Sequence, residues 1–179
     1  MIFRPTSLAD VYLVEQERIA DERGFFARTW AVEEMRACGL DARAVHMNTS
    51  FNARAGTVRG LHFQAAPHEE AKLVRATRGA VFDVAVDLRE SSPTYRQWHA
   101  AELTEDNGLG LFVPAGCAHG FQSLVDASEV LYVMSAAYEP GAAAGVRWDD
   151  PALGIEWPAA PPGGRTLSDR DRSWPYLSP

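Results

Sequence analysis

Two cysteines in 179 residues, Cys38 and Cys117, are too few for a disulfide framework, and neither sits in a zinc-ligand spacing. They read as free thiols of a reducing compartment. No apolar run approaches the ~20 residues of a membrane span, and the opening MIFRPTSLADVYLV lacks a secretory layout. A cytoplasmic location and no membrane partner are expected. Positive charge is scarce: 17 Lys and Arg against 24 Asp and Glu leave a net charge of −7. That argues against a nucleic-acid partner, because neutralising phosphates needs a basic face. It leaves room for an anionic small ligand held by a few converging arginines. Internal repeats and low-complexity blocks are absent as well, and the length suits one domain spanning 1–179.

What is present is a succession of short strand signals. In AVFDVAVDLR, Phe82, Val84, Val86 and Leu88 fall on one face and Val81, Asp83, Ala85 and Asp87 on the other. RGLHFQ, KLVRATRG, YRQWHAAEL, LGLFVP, FQSLV and EVLYVMSAAY read as further strands, with turn signals between them that include AAPHEE, RESSPT, TEDNG and PAGCAHG. One early helix is expected over Trp30 to Cys38, ended by Gly39. From Pro151 to Pro179 the chain is proline-rich and irregular, and its tryptophans need cover, so this segment is expected to pack back on the strands. Strands at this spacing predict an all-β fold: a closed or nearly closed antiparallel β-barrel of jelly-roll type.

RGLHFQ carries the first chemical question. Alternation puts His62 on one face with Gly60 and Gln64, and Leu61 with Phe63 on the other. A histidine there can be a core residue, a metal ligand or a base. The later Pro114-Ala-Gly116-Cys-Ala-His119 matches the P-x-G-x-x-H element of the jelly-roll proteins called cupins. Metal-binding cupins carry H-x-H in their first element, whereas this chain has H-F-Q, so a three-histidine site is not encoded at these positions and no metal or other cofactor is expected. His46, His68 and His99 stand in unrelated contexts and read as surface residues. Without a metal, His62 is best suited to moving protons, since the histidine side chain as a type changes charge near working pH. The carboxylates of Asp169-Arg-Asp171 could orient it, and Lys72 could support a developing enolate. Spacing alone does not show that these groups converge.

Taken together, D-E-R-G-F-F (21–26), R-G-L-H-F-Q (59–64), K-L-V (72–74), D-V-A-V-D-L-R (83–89) with S-P-T (92–94), P-A-G-C-A-H-G-F (114–121), W-x-x-P-x-x-x-I-x-W-P (148–158) and L-S-x-x-D (167–171) resemble the dTDP-4-dehydrorhamnose 3,5-epimerases. The resemblance covers nearly the whole chain in order. It implies a metal-free, dimeric jelly roll that inverts C3, C5 or both of a nucleotide-linked 4-keto-6-deoxyhexose. By the same resemblance His62 is the base, held by Asp171, Lys72 steadies the enolate oxygen, and Tyr132 returns a proton from the opposite ring face. Arg23 and Arg59 clamp the diphosphate, while Phe26, Asn48, Gln64, His119, Phe121 and Tyr138 line the substrate pocket.

Two positions depart from the family's habit. Arg28 stands where a glutamate is common and His46 where a glutamine is common, and one additional residue lies between Asn48 and Arg59. Reversing a charge there exchanges acceptors for donors at the nucleotide end of the site. Ketoisomerase, sugar-nucleotide-binding cupin and metal-dependent oxygenase stand as rival readings. A regular strand would also put Arg59 and His62 on opposite faces, so both can serve one pocket only if the strand twists or bulges near Gly60.

Overall fold

The computed structural model describes residues 1–177, so Ser178 and Pro179 of the irregular C-terminal segment lie outside the described residues. The strands are β1 (Ile2–Pro5), β2 (Tyr12–Glu15), β3 (Arg18–Asp21), β4 (Gly24–Ala27), β5 (His46–Asn52), β6 (Val58–Gln64), β7 (Lys72–Arg78), β8 (Ala80–Asp87), β9 (Trp98–Thr104), β10 (Gly110–Val113), β11 (Cys117–Ser123), β12 (Ser128–Met134) and β13 (Ala143–Gly145). Two short helices join them, α1 (Val32–Ala37) and α2 (Asp169–Ser173). Among the described residues, no helix is long and apolar enough to cross a membrane.

A six-stranded sheet in the order β1-β2-β10-β7-β12-β5 faces a five-stranded sheet in the order β13-β6-β11-β8-β9. Every ladder between named strands is antiparallel, which bears out the jelly-roll expectation. The main core lies between the sheets, where Val74, Ala76, Leu111, Val113 and Val130 of one meet Val81, Ala85, Leu103 and Phe121 of the other. Both sheets are also covered outside. Met35 of α1 with Leu40 and Ala42 packs on Val14, Leu73, Phe112 and Val133. On the other side Val146, Leu153 and Trp157 pack on Leu61, Val84, Val86 and Ala118. This double cover explains why β8 is apolar on both faces rather than alternating apolar with polar.

Two aspartates interrupt that strand, and each has a partner. Asp87 accepts from Arg89, Ser92 and Thr94, and Arg89 also reaches Asp10, so the R-x-x-S-P-T turn is tied to the strand end. Burial opposes the Asp87 charge, but these donors outweigh it and hold its carboxyl well below the usual carboxylate range. Asp83 is taken up by the site below.

Several sequence boundaries move. The helix is confined to Val32–Ala37, because Ala31 offers no capping side chain and stays extended. PAGCAHG is a turn only over its first residues, and Cys117 to Gly120 already belong to β11. The strand read from Tyr95 begins at Trp98, after Arg96 at φ 62°. His99 is half-buried against Ser7, and His46 faces the cavity, so only His68 is a surface histidine.

Candidate active site

One end of the sandwich opens into a cavity of about 720 Å³. Of the residues singled out from sequence, His62, Lys72, Tyr132, Asp171, Asn48, Arg59, Gln64, His119, Phe121, Tyr138 and His46 all line it. They come from β5, β6, β7, β11, β12, α2 and, for Tyr138, the connection between β12 and β13, so the cavity wall is assembled from both sheets and the C-terminal segment.

Strand β6 contributes His62 and Arg59 together because it is irregular where a break was expected. Its ladder with β11 runs from His119↔His62 to Phe121↔Arg59, so two steps along β11 match three along β6. The extra residue lies at Gly60–Leu61. Gly60 has φ 133°, and a Cβ there would lie 2.6 Å from Gly120 Cα, so both conformation and space require glycine. Arg59 is then held by β5, donating to Asn52 Oδ1 at 2.9 Å and to the Phe51 carbonyl at 3.2 Å.

His62 Nε2 lies 2.5 Å from Asp171 Oδ1. An acceptor on that nitrogen fixes the tautomer and leaves the other with its lone pair for substrate. Asp171 is itself fixed: Ser168 caps α2 by accepting from the Asp171 amide at 3.1 Å, and Arg147 bonds the Arg172 carbonyl at 2.9 Å. Burial works against the Asp171 charge, but the bond and the charge of His62 prevail, so the carboxyl lies below its ordinary range. Trp174 meets the His62 ring edge-on at 6.2 Å and packs so closely on Gly145 that a Cβ there would lie 2.5 Å from its ring.

A second histidine–carboxylate pair sits opposite the first. His119 Nε2 is 2.8 Å from Asp83 Oδ1, and the two residues are 4% and 0% exposed. Burial pushes the Asp83 carboxyl upward, while the charges of His119 and Lys72 oppose it. Lys72 is buried too and donates to Glu70 Oε1 at 2.9 Å. The Tyr132 hydroxyl lies 3.3 Å from Ser50 Oγ, and its ring meets His119 edge-on at 6.0 Å. Burial raises the Tyr132 pKa, which keeps it a proton donor. Gln64 reaches the cavity, but its amide binds the His68 and Ala137 carbonyls and the Glu139 amide, which clamps two loops. Phe121 is fully buried and serves the core as well as the wall.

Three sequence candidates are not brought into this cavity. Arg23 and Phe26 lie on the β3–β4 hairpin, a separate two-stranded sheet exposed along its length, where Arg23 pairs with Asp21 at the turn. Arg28 follows that hairpin and pairs with Glu34 of α1 at 2.9 Å, so its guanidinium is engaged away from the cavity. Conversely, Ser50, Glu70, Arg170 and Trp174 line the wall without having been singled out, and Asp83 supports it from behind. Asp83 did leave a signal, as a carboxylate inside a strand otherwise fit for burial on both faces. The others depend on which strands end up adjacent. Among the described residues no three His, Cys, Asp or Glu side chains converge to hold a metal ion.

A histidine bonded to a carboxylate, a tyrosine hydroxyl and a buried ammonium lining one cavity form a set that can take a proton from carbon and return one elsewhere. Comparison with known proteins agrees with that chemistry. The family model described as dTDP-4-dehydrorhamnose 3,5-epimerase matches residues 5–179. A protein of that name from Sinorhizobium fredii is 45% identical over 177 residues, 99% of this chain and 90% of its own length. The Bacillus anthracis dTDP-4-dehydrorhamnose 3,5-epimerase, solved with TDP and PPi bound, superposes with a TM-score of 0.92 at 40% identity, covering 98% of this chain and 99% of that one. A Legionella pneumophila dTDP-6-deoxy-D-glucose-3,5-epimerase, solved with dTDP-4-keto-L-rhamnose, gives 0.91 at 32% identity, covering 98% and 92%.

Proposed function

The chain belongs to the dTDP-4-dehydrorhamnose 3,5-epimerase family, and on that premise we propose how its cavity carries out the reaction. It is an isomerase of deoxysugar biosynthesis, acting on a dTDP-linked 4-keto-6-deoxyhexose. The observation that carries the residue assignment is the 2.5 Å bond between His62 and Asp171 inside a cavity that Tyr132 and Lys72 also line.

A ketone at C4 acidifies the C–H bonds on either side of it. His62 removes one of these protons, and Asp171 stabilises the imidazolium so formed. The electron pair moves onto the carbonyl oxygen as an enolate, which the Lys72 ammonium meets in a buried setting where a charge interaction is strong. Tyr132 then gives its proton to the same carbon from the opposite ring face, and the centre is inverted. His119, fixed by Asp83, and Asn48 orient the sugar, Arg59 takes diphosphate oxygens, and Tyr138 at the rim stacks on the nucleotide side. His46 lines the cavity on the same face of β5 as Asn48, which supports a role for it in base recognition.

Arg23 and Phe26 fit this scheme only in a homodimer. Their hairpin carries Ile19, Phe25 and Phe26 at 70%, 55% and 71% exposure, and an isolated two-stranded ribbon with that much apolar surface needs cover. Edge strand β5 adds Met47 and Phe51 on its outward face. The hairpin packs on a second copy and delivers Arg23 and Phe26 to the partner's cavity. The enzyme works in the cytoplasm, a reading supported by its two free thiols. Its acidic charge speaks against a nucleic-acid partner.

Proton NMR of dTDP-4-keto-6-deoxyglucose in D₂O with the enzyme tests the reaction. Deuterium entering at both C3 and C5 is the expected result. Deuterium at one carbon makes the protein a single-carbon epimerase, and no exchange at either would overturn the assignment.

A further inference from the structure

Giving a proton to carbon leaves Tyr132 as a phenolate that must be reprotonated before the next inversion. In this wall a phenolate is poorly solvated, because Tyr132 packs against the apolar core and the His119 ring. Its oxygen has one hydrogen-bonding neighbour among the described residues, the hydroxyl of Ser50 at 3.3 Å. Ser50 is suited to the task by its place in the fold. It lies on β5, at the edge of the six-stranded sheet, so it is half-buried where the strands further in are closed over. Strand alternation sets it on the same face as His46 and Asn48, and all three line the cavity. Its next same-face neighbour, Asn52, is occupied with the Ser128 carbonyl and Arg59. Ser50 thus has Tyr132 on one side and the open cavity on the other.

We propose that Ser50 is a positioning residue for the second half of the reaction, aiming the Tyr132 hydroxyl at the sugar and relaying a solvent proton back to it. The inference rests on the epimerase reading above. In the relay the Tyr132 O–H bond breaks as the enolate carbon gains its C–H bond. The phenolate oxygen takes the Ser50 proton while Ser50 takes one from water, in a single concerted shift. The hydroxide so generated is neutralised by the proton that His62 releases, so no net charge is created.

The two halves of the reaction can be read separately. Base-side exchange alone puts deuterium into recovered substrate without inversion, and full turnover gives inverted product. For Ser50→Ala in D₂O, the ratio of inverted product to deuterated, uninverted substrate is expected to fall at least about tenfold, toward that of Tyr132→Phe, the scale of a positioned acid. Ser50→Thr, which keeps a hydroxyl, is expected to restore most of the ratio. A Ser50→Ala ratio equal to wild type overturns the proposal, whether both rates hold or both fall together as a purely structural defect would make them. Wild-type protein that exchanges neither carbon would instead remove the epimerase reading itself.

Discussion

His62 and His119 sit opposite each other in the ladder between β6 and β11, yet each is held by a carboxylate from a different part of the chain. Asp171 reaches His62 from the C-terminal helix, and Asp83 reaches His119 from the neighbouring strand β8. The pairs differ in exposure: the His62 side chain is 43% accessible, whereas His119 and Asp83 are enclosed. An accessible imidazole can exchange its proton with solvent between turnovers. An enclosed one keeps a fixed orientation, which suits binding.

The first prediction concerns the accessible pair. Asp171→Asn should fold normally and lose about 10²-fold or more in kcat, with KM changed only a few-fold, because the imidazolium loses its counter-charge and its tautomer. Steady-state kinetics beside a thermal melt checks this. Ser168→Ala should fall between that variant and wild type, costing about 1 kcal/mol of helix capping while loosening Asp171. Wild-type kcat in Asp171→Asn would mean that His62 needs no orienting carboxylate.

Gly60→Ala should be among the most damaging single-methyl additions to the chain. The added Cβ meets Gly120 Cα at 2.6 Å at a backbone angle that disfavours L side chains. A loss of at least about 2 kcal/mol is expected, measured by urea unfolding. Activity should fall further than stability alone explains, because the bulge is what aims Arg59 and His62 into one cavity.

Stability should depend on pH through Asp87. Its carboxyl titrates below the usual range in the folded protein, so its contribution is present above the unfolded value of about 3.9 and is lost as pH falls through the folded value. Asp87→Asn should cost about 3 kcal/mol at pH 7. The gap between variant and wild type should narrow in strongly acidic solution. A gap that stays constant with pH would show that the aspartate acts through shape rather than charge.

Mixed dimers test where Arg23 acts. Arg23→Ala and His62→Ala proteins should each be nearly inactive alone. If the hairpin serves the partner's cavity, a heterodimer of the two holds one doubly damaged site and one undamaged site, and mixing after partial unfolding should restore activity. A hairpin serving its own cavity leaves both sites damaged, and mixing would restore nothing.

Much of the fold was legible because its signals are local. The valine-rich run AVFDVAVD marks β8, and the glycine of RGLHFQ marks the break in β6. The strands β1 to β5 were harder to read, since β1 to β4 span four residues each, too few to set a period, and β3, β4 and most of β5 are exposed. At the site, His62 stood out as a histidine inside a strand and Lys72 as a candidate enolate partner, whereas Tyr132 was marked only by the family resemblance. Ser50, Glu70 and Trp174 did not, because a serine, a glutamate or a tryptophan is ordinary in sequence and becomes notable only through its neighbour.

The sequence by itself determined the strand-rich architecture, the family, and the residue types able to move protons beside a ketone. All of these are written in short motifs and periodicities within a few residues of one another. Tertiary structure decided the partnerships: Asp171 with His62 across 109 positions, Ser50 with Tyr132 across 82, and Asp83 with His119 across 36. It also decided that Arg23 and Phe26 lie away from their own chain's cavity. The reason is physical. A hydrogen bond depends on separation in space to a few tenths of an ångström, and in a jelly roll most of those separations are set by which strands become neighbours.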